Sequence, residues 1–123
     1  IVSISQSQRT FTLNEARELL PVISRITADS QREVLQLVNR IEAIKYGSSE
    51  AAQTLEDEVQ AHIDQWQQKL SRLGVHPKGL WLADFDNGRG YYCWKYPESD
   101  IRFWHGYQDG FSGRQEIQPE GHA

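Results

Sequence analysis

Ten of the thirteen aromatic residues lie between Trp81 and Phe111. Aromatic side chains bury the largest area per residue, so this window must hold either the core or a site. It reads as a small antiparallel meander. Asn87-Gly88 is a strong two-residue hairpin signal between Leu80–Phe85 and Gly90–Tyr96. Pairing about that turn sets Asp84 opposite Tyr91, Leu82 opposite Cys93 and Trp81 opposite Trp94. A second turn, Pro97-Glu98-Ser99-Asp100, leads into Ile101–His105. With four residues in that loop, Trp94 pairs with Phe103 and Tyr92 with His105. One face then carries Trp81, Ala83, Phe85, Tyr92, Trp94, Tyr96, Ile101, Phe103 and His105. The other carries Leu80, Leu82, Asp84, Tyr91, Cys93, Lys95, Arg102 and Trp104. A loop one residue longer or shorter flips the third strand, because side chains alternate with a period of two. Three strands cannot bury two such faces alone. One is expected on the helices; the other needs the tail or a second copy of the chain.

The preceding residues read as helix. Thr12-Leu13-Asn14-Glu15 matches a capping box behind Phe11. Leu20-Pro21 predicts a kink or break, because proline lacks the amide donor and its ring crowds the preceding turn. Beyond it Ile23, Ile26, Ser30, Val34, Leu37, Ile41 and Ile44 alternate steps of three and four, a narrow coiled-coil-like seam. After a turn at Gly47-Ser48-Ser49, Leu55, Val59, Ile63, Trp66, Leu70 and Leu73 share a helical face, and Gly74 is placed to stop the helix. Pro21–Tyr46 and Ser49–Leu73 are each roughly 25 residues, about 37 Å at the helical rise, which predicts an antiparallel hairpin. Val75–Gly79 reads as a connector, and residues 1–10 as a frayed end or short edge strand. The expected fold is α+β: a kinked N-terminal helix and a long helical hairpin (11–74), then a three-stranded antiparallel meander and ordered tail (79–117), in a single domain spanning 1–123.

With 123 residues there is room for one modest core. No apolar run approaches the roughly 18 residues that span a bilayer, so no membrane partner is expected. The opening residues lack the apolar centre of a signal peptide, and the absence of Met leads us to expect a trimmed start. Cys93 is the only cysteine, so an internal disulfide is excluded and a reducing, cytoplasmic setting is expected. The formal net charge is −4, and from Gly79 onward seven acids face four bases. That balance argues against nucleic acid, whose phosphates need clustered Lys and Arg.

The string FTLNEARELLP, together with G-L-x-L-x-D-F from Gly79, Cys93-Trp94, Glu98, Trp104-His105 and G-F-x-G-R ending at Arg114, resembles the prokaryotic domain of unknown function 2203 family. The likeness runs from Phe11 to about Ile117. Carried over residue by residue, it implies a polar signature at Asp84, Glu98, His105 and Arg114, with Cys93, Trp94 and Trp104 among them. Pro97 stands where the family commonly has glycine. The resemblance implies an architecture and no activity.

One imidazole with two carboxylates, His105 with Asp84 and Glu98, could bind a divalent metal or perform acid–base work. No paired-ligand spacing accompanies them, and His62, His76 and His122 fall in a helix, a connector and a tail. The expected register separates Asp84 from His105 by face. Even flipped, they stand two strands apart, about 9.5 Å at the usual strand spacing, too far for a direct hydrogen bond. Neither a catalytic residue nor a metal or cofactor is therefore assigned. Arg114 is expected to fork onto Asp84 or Glu98 as a strut for the tail, or to await an anion. Cys93 is expected to pack as a small hydrophobe. Trp81, Trp94, Phe103 and Trp104 form the candidate association surface. The function expected first is a non-enzymatic interaction or scaffold module that self-associates as a homodimer, the helical arm supplying a four-helix core. The alternative is a small-molecule- or metal-binding protein, or an enzyme, with its site near Asp84, Glu98, His105 and Arg114. A concave site holding at least three of those side chains, with waters or an ion, favours the alternative; each satisfied by its own backbone neighbours favours the scaffold.

Overall fold

The computed structural model describes residues 9–44 and 49–118. The expectations for residues 1–8, for the Gly47-Ser48 turn and for His122 lie outside them. Two helices, α1 (Leu13–Ala43) and α2 (Ser49–Arg72), precede five strands: β1 (His76–Gly79), β2 (Leu82–Asp86), β3 (Gly90–Lys95), β4 (Phe103–Gly106) and β5 (Gln115–Glu116). The strands form one antiparallel meander in chain order. The class is the α+β expected, with five strands in place of three. The supposed connector supplies β1, and the tail adds β5 as the opposite edge.

Thr12 and Glu15 form the capping box: the Glu15 amide donates to Thr12 Oγ1 at 3.0 Å and the Thr12 amide to Glu15 Oε1 at 2.9 Å. The helix then runs for 31 residues without a break at Pro21. Proline inside a helix costs about 3 kcal/mol, but Pro21 lies on the exposed side while Leu20 and Ile23 are buried in the core. Burial on either side offsets the lost amide, so α1 is longer than the 24-residue α2 rather than its match. Residues Ala16, Leu20, Ile23, Thr27, Ser30, Val34 and Leu37 form its buried seam in steps of four and three. Thr27 takes the place expected of Ile26 because its hydroxyl joins the helices: Trp66 Nε1 donates to Thr27 Oγ1 at 2.8 Å, and that hydroxyl donates to the Ile23 carbonyl at 2.8 Å. Both side chains are fully buried, so the bond sets the helices' relative height. Gly74 ends α2 with φ +82°, and the Val75 amide reaches back to the Leu70 carbonyl at 3.0 Å, a Schellman stop.

The helices cover one face of the sheet. Ala83, Phe85 and Trp94 meet Phe11, Leu20, Ile23, Trp66, Leu70, Val75 and Ile101 in a single core. Trp81 sits in the Leu80-Trp81 turn that joins β1 to β2, with φ 64°, a left-handed conformation that costs an L-residue about 1–2 kcal/mol. Its ring meets Trp66 edge-on at 5.0 Å, and its carbonyl accepts from the Tyr96 amide at 3.0 Å, which together hold it there.

Two registers differ from expectation. The first turn centres on Gly88-Arg89, closed by Asn87 and Gly90, not on Asn87-Gly88. Asn87 Oδ1 accepts from the Arg89 and Gly90 amides at 2.8 Å each, and Gly88 takes φ +91°. Asp84 therefore pairs with Cys93, Phe85 with Tyr92 and Ala83 with Trp94. This slip of two leaves every β2 and β3 side chain on its expected face. The second slip is of one residue: Cys93 pairs with Phe103, Tyr92 with Trp104 and Tyr91 with His105. It turns Phe103 and His105 onto the face away from the helices and Trp104 onto the side of Tyr92. The cause is the β3–β4 connection, which spans residues 96–102 rather than four. There Glu98 folds back on β3: its Oε1 accepts from the Lys95 amide and its carbonyl from Trp94 Nε1, both at 2.8 Å.

Candidate functional site

Away from the helices, the centre of the sheet carries Asp84 on β2, Cys93 beside it on β3 and His105 on β4. The three are 2%, 1% and 4% exposed. Asp84 and His105 do meet, with His105 Nε2 and Asp84 Oδ2 3.0 Å apart. Their backbones stand two strand spacings apart, with β3 between them, as expected. However, both side chains lean over β3, where the small Cys93 leaves them room, so backbone spacing was the wrong measure. Close strand approach helps to place β4: a Cβ on Gly90 would lie 2.5 Å from the His105 carbonyl oxygen.

The hydrogen bonds fix the protons. His105 Nδ1 lies 2.9 Å from the Gly106 carbonyl, which can only accept, so Nδ1 carries hydrogen. Nε2 then faces Asp84 with a lone pair or a second proton, and the short contact requires one proton shared between imidazole and carboxylate. Burial pushes the Asp84 carboxyl up, against the opposing pull of His105 and Cys93. Its other oxygen, Oδ1, is buried without a hydrogen-bond partner among the described residues. Burial and the adjoining Asp84 push the Cys93 thiol up to about 12, so it is protonated and unsuited to act as a free nucleophile. The ligand atoms of Asp84, Cys93 and His105 all lie within 4.8 Å of one another. Carboxylate oxygen, thiol sulfur and imidazole nitrogen are together a donor set for a divalent transition metal.

Above this floor is a cavity of about 380 Å³. Lys78, Leu82, Tyr91 and residues 107–111 line its walls. Tyr91 is the hub of the wall. Its ring lies 5.5 Å from His105, 5.5 Å from His76 and 5.2 Å from Tyr107, with Lys78 Nζ 4.7 Å from its centre. Tyr107 donates to Asp86 Oδ1 at 2.6 Å, which raises its phenol to about 12. Burial, then Lys78, lowers the His76 imidazole, whose Nε2 is another buried atom without a partner among the described residues.

Glu98 and Arg114 pair beside the site. Arg114 forks onto Glu98 at 2.6 and 3.1 Å, and its guanidinium carbon lies 4.0 Å from the Phe103 ring centre and 4.2 Å from that of Phe111. Burial alone would raise the Glu98 carboxyl, but the Arg114 fork and the Lys95 amide outweigh it and hold it below the usual range. Arg114 and Asp84 both interact with the Cys93 side chain. The four polar residues singled out in the sequence thus fall into two pairs flanking the thiol, and only Asp84 and His105 line the cavity, one short of the three expected of a shared concave site; the third polar group there is Cys93. Of the aromatic residues expected to form an association surface, Trp94 is fully buried in the core and has no surface to offer. Trp81 rests on Trp66, Phe103 lies under Arg114, and Trp104 is half-buried. Cys93, expected to pack as a small hydrophobe, lines the cavity floor, and His76, expected in a connector, lies on β1 against Tyr91. Lys78, Tyr91 and Tyr107 were not singled out, because only the corrected register gathers them.

No helix among the described residues is long and apolar enough to cross a membrane. Residues 9–117 match the family model described as uncharacterized conserved protein (DUF2203), and the chain belongs to that family. No curated protein and no solved structure shows a significant match to the chain.

Proposed function

We propose that this DUF2203 chain is a small-molecule-binding protein whose ligand occupies the cavity above Asp84, Cys93 and His105. The observation that carries this is Asp84 Oδ1, a buried carboxylate oxygen without a hydrogen-bond partner among the described residues. Such an atom costs about 1–3 kcal/mol or more, and a site open to a ligand accounts for its retention. The cavity volume lies within the range of small-molecule pockets, roughly 300–1,000 Å³. Its aromatic walls, Tyr91 and Phe111, suit a planar body, and Lys78 suits a carboxylate or carbonyl at one end. Amide chemical-shift mapping with small aromatic carboxylates tests the idea. Perturbations should cluster on Tyr91, His105, Tyr107 and Phe111; their absence there across the panel would reject it.

A second reading is favoured by the helical arm. Val34, Leu37 and Leu55 are buried between α1 and α2 but stand outside the main core, while Val22 and Leu35 are 47% and 51% exposed. On that reading two cytoplasmic copies join their hairpins as a homodimeric scaffold. Light scattering at tens of micromolar tests it, and a clean monomer would remove it.

A further inference from the structure

We infer that Asp84, Cys93 and His105 form a three-ligand site for a divalent cation of the zinc type, with its fourth position open to the cavity. This deepens the preceding proposal and rests on the same cavity. At ordinary zinc–ligand distances of about 2.0–2.3 Å, tetrahedral ligands lie about 3.3–3.8 Å apart. The three donor atoms here are already within 4.8 Å, so closing the site takes shifts of about 1 Å, within reach of side-chain torsions.

Each ligand is prepared in a separate way. Asp84 Oδ1 is buried and has no hydrogen-bond partner among the described residues. His105 donates Nδ1–H to the Gly106 carbonyl, which fixes the ring so that Nε2 is the coordinating nitrogen. That outer bond is the one metal-bound imidazoles characteristically make. Cys93 lies beside Asp84 in the ladder, with its sulfur directed to the same face. Sulfur and imidazole nitrogen disfavour magnesium and calcium, which prefer oxygen. Charge also closes. Binding releases the thiol proton and the proton shared by Asp84 and His105, so a dication meets two anionic ligands and one neutral one, leaving the filled site uncharged. Of the two cations beside the site, Arg114 is neutralised by its fork onto Glu98, while Lys78 stands on the cavity wall over the Tyr91 ring. Three protein ligands beside an open space is the pattern of sites that present a metal to a small molecule rather than merely brace a fold.

The test uses the full chain, stripped with chelator and titrated with Co²⁺ and then Zn²⁺. One Co²⁺ per chain should give a thiolate-to-metal absorption band, displaced by Zn²⁺ and absent in Cys93→Ser. Asp84→Asn, which keeps shape and can still donate to His105, should weaken Zn²⁺ binding by more than the roughly 10–100-fold typical of outer-shell changes. Melting of each metal-free variant confirms that it folds. His62→Gln, on α2, should bind as the unaltered chain does. No saturable binding at micromolar protein, equal affinity in Cys93→Ser, or loss in His62→Gln alone would overturn the inference. The two proposals fail separately. Aromatic carboxylates mapping to Tyr91 and Phe111 in a protein that ignores Zn²⁺ would leave the pocket without the metal. Stoichiometric Zn²⁺ with no such mapping on the filled site would leave the metal without the pocket.

Discussion

Replacing Arg114 with alanine probes what ties the tail to the sheet. The substitution removes a two-pronged ion pair at 2.6 and 3.1 Å whose side chains are only 14% and 21% exposed. It also removes a guanidinium lying against Phe103 and Phe111. Charge-assisted hydrogen bonds contribute about 1.5–3 kcal/mol each, less than additively when they share one carboxylate. Stacking adds about 0.5–1 kcal/mol. Glu98 is left half-buried with the Lys95 amide as its remaining partner, and residual solvent access softens that loss. The expected destabilisation is about 2–4 kcal/mol. For a chain of this length about 4 °C of melting temperature corresponds to 1 kcal/mol, so Tm should fall by about 8–16 °C. Arg114→Lys keeps the charge but not the fork and should recover less than half.

The pH dependence has a definite sign. Because Glu98 has its folded pKa lowered, the pair stabilises above the ordinary carboxyl value of 4.5, and that stability is lost as pH falls through the lower folded value. The gap between the unaltered chain and Glu98→Gln should therefore be full at pH 7 and close below 4.5. Urea unfolding at several pH values, with the double variant completing the cycle, measures it. An Arg114→Ala protein as stable as the parent, with cavity binding abolished, would refute the strut and make Arg114 a ligand-binding group.

Further outcomes follow from the buried polar atoms. Thr27→Val leaves Trp66 Nε1 buried without its acceptor and should cost about 1–3 kcal/mol in denaturant unfolding, far more than its change in volume implies. In metal-free protein, Asp84→Asn should stabilise by about 1–3 kcal/mol, since it replaces a buried carboxylate with a neutral amide that can still donate to His105; a lower melting temperature would contradict this. Cys93, 1% exposed and with its thiol pushed up to about 12, should resist a disulfide reagent in the folded, metal-free chain and react only at the rate of unfolding.

Local signals in the chain were legible because their chemistry is local. Thr12 and Glu15 satisfy each other within one turn, Gly74 supplies its own left-handed stop, and alternation along Leu82–Asp86 and Gly90–Lys95 fixes which side chains turn inward. Pro21 does not break α1 because the burial of Leu20 and Ile23 beside it offsets a propensity cost of about 3 kcal/mol, and that burial is not a local property of the sequence. The site itself was hidden behind one integer, the length of the β3–β4 connection. Nothing in Tyr96–Arg102 taken singly announces that Glu98 will fold back onto Lys95, yet that fold-back accompanies the register that turns His105 toward Asp84. β1 escaped notice because Pro77 reads as a breaker, and β5 because two exposed residues carry no pattern.

The outer strands carry a consequence for assembly. β1 has four residues, with Pro77 among them and an irregular step before Gly79, while β5 has two. A strand can serve as a template only where it offers a continuous row of free amides and carbonyls, and neither border does. Among the described residues, the sheet therefore offers little at either border for a further strand to pair with. Such short, interrupted borders disfavour recruiting a peptide as an added strand or joining copies edge to edge. Among the described residues, the broad surfaces are side-chain surfaces, along the helical arm and over the cavity.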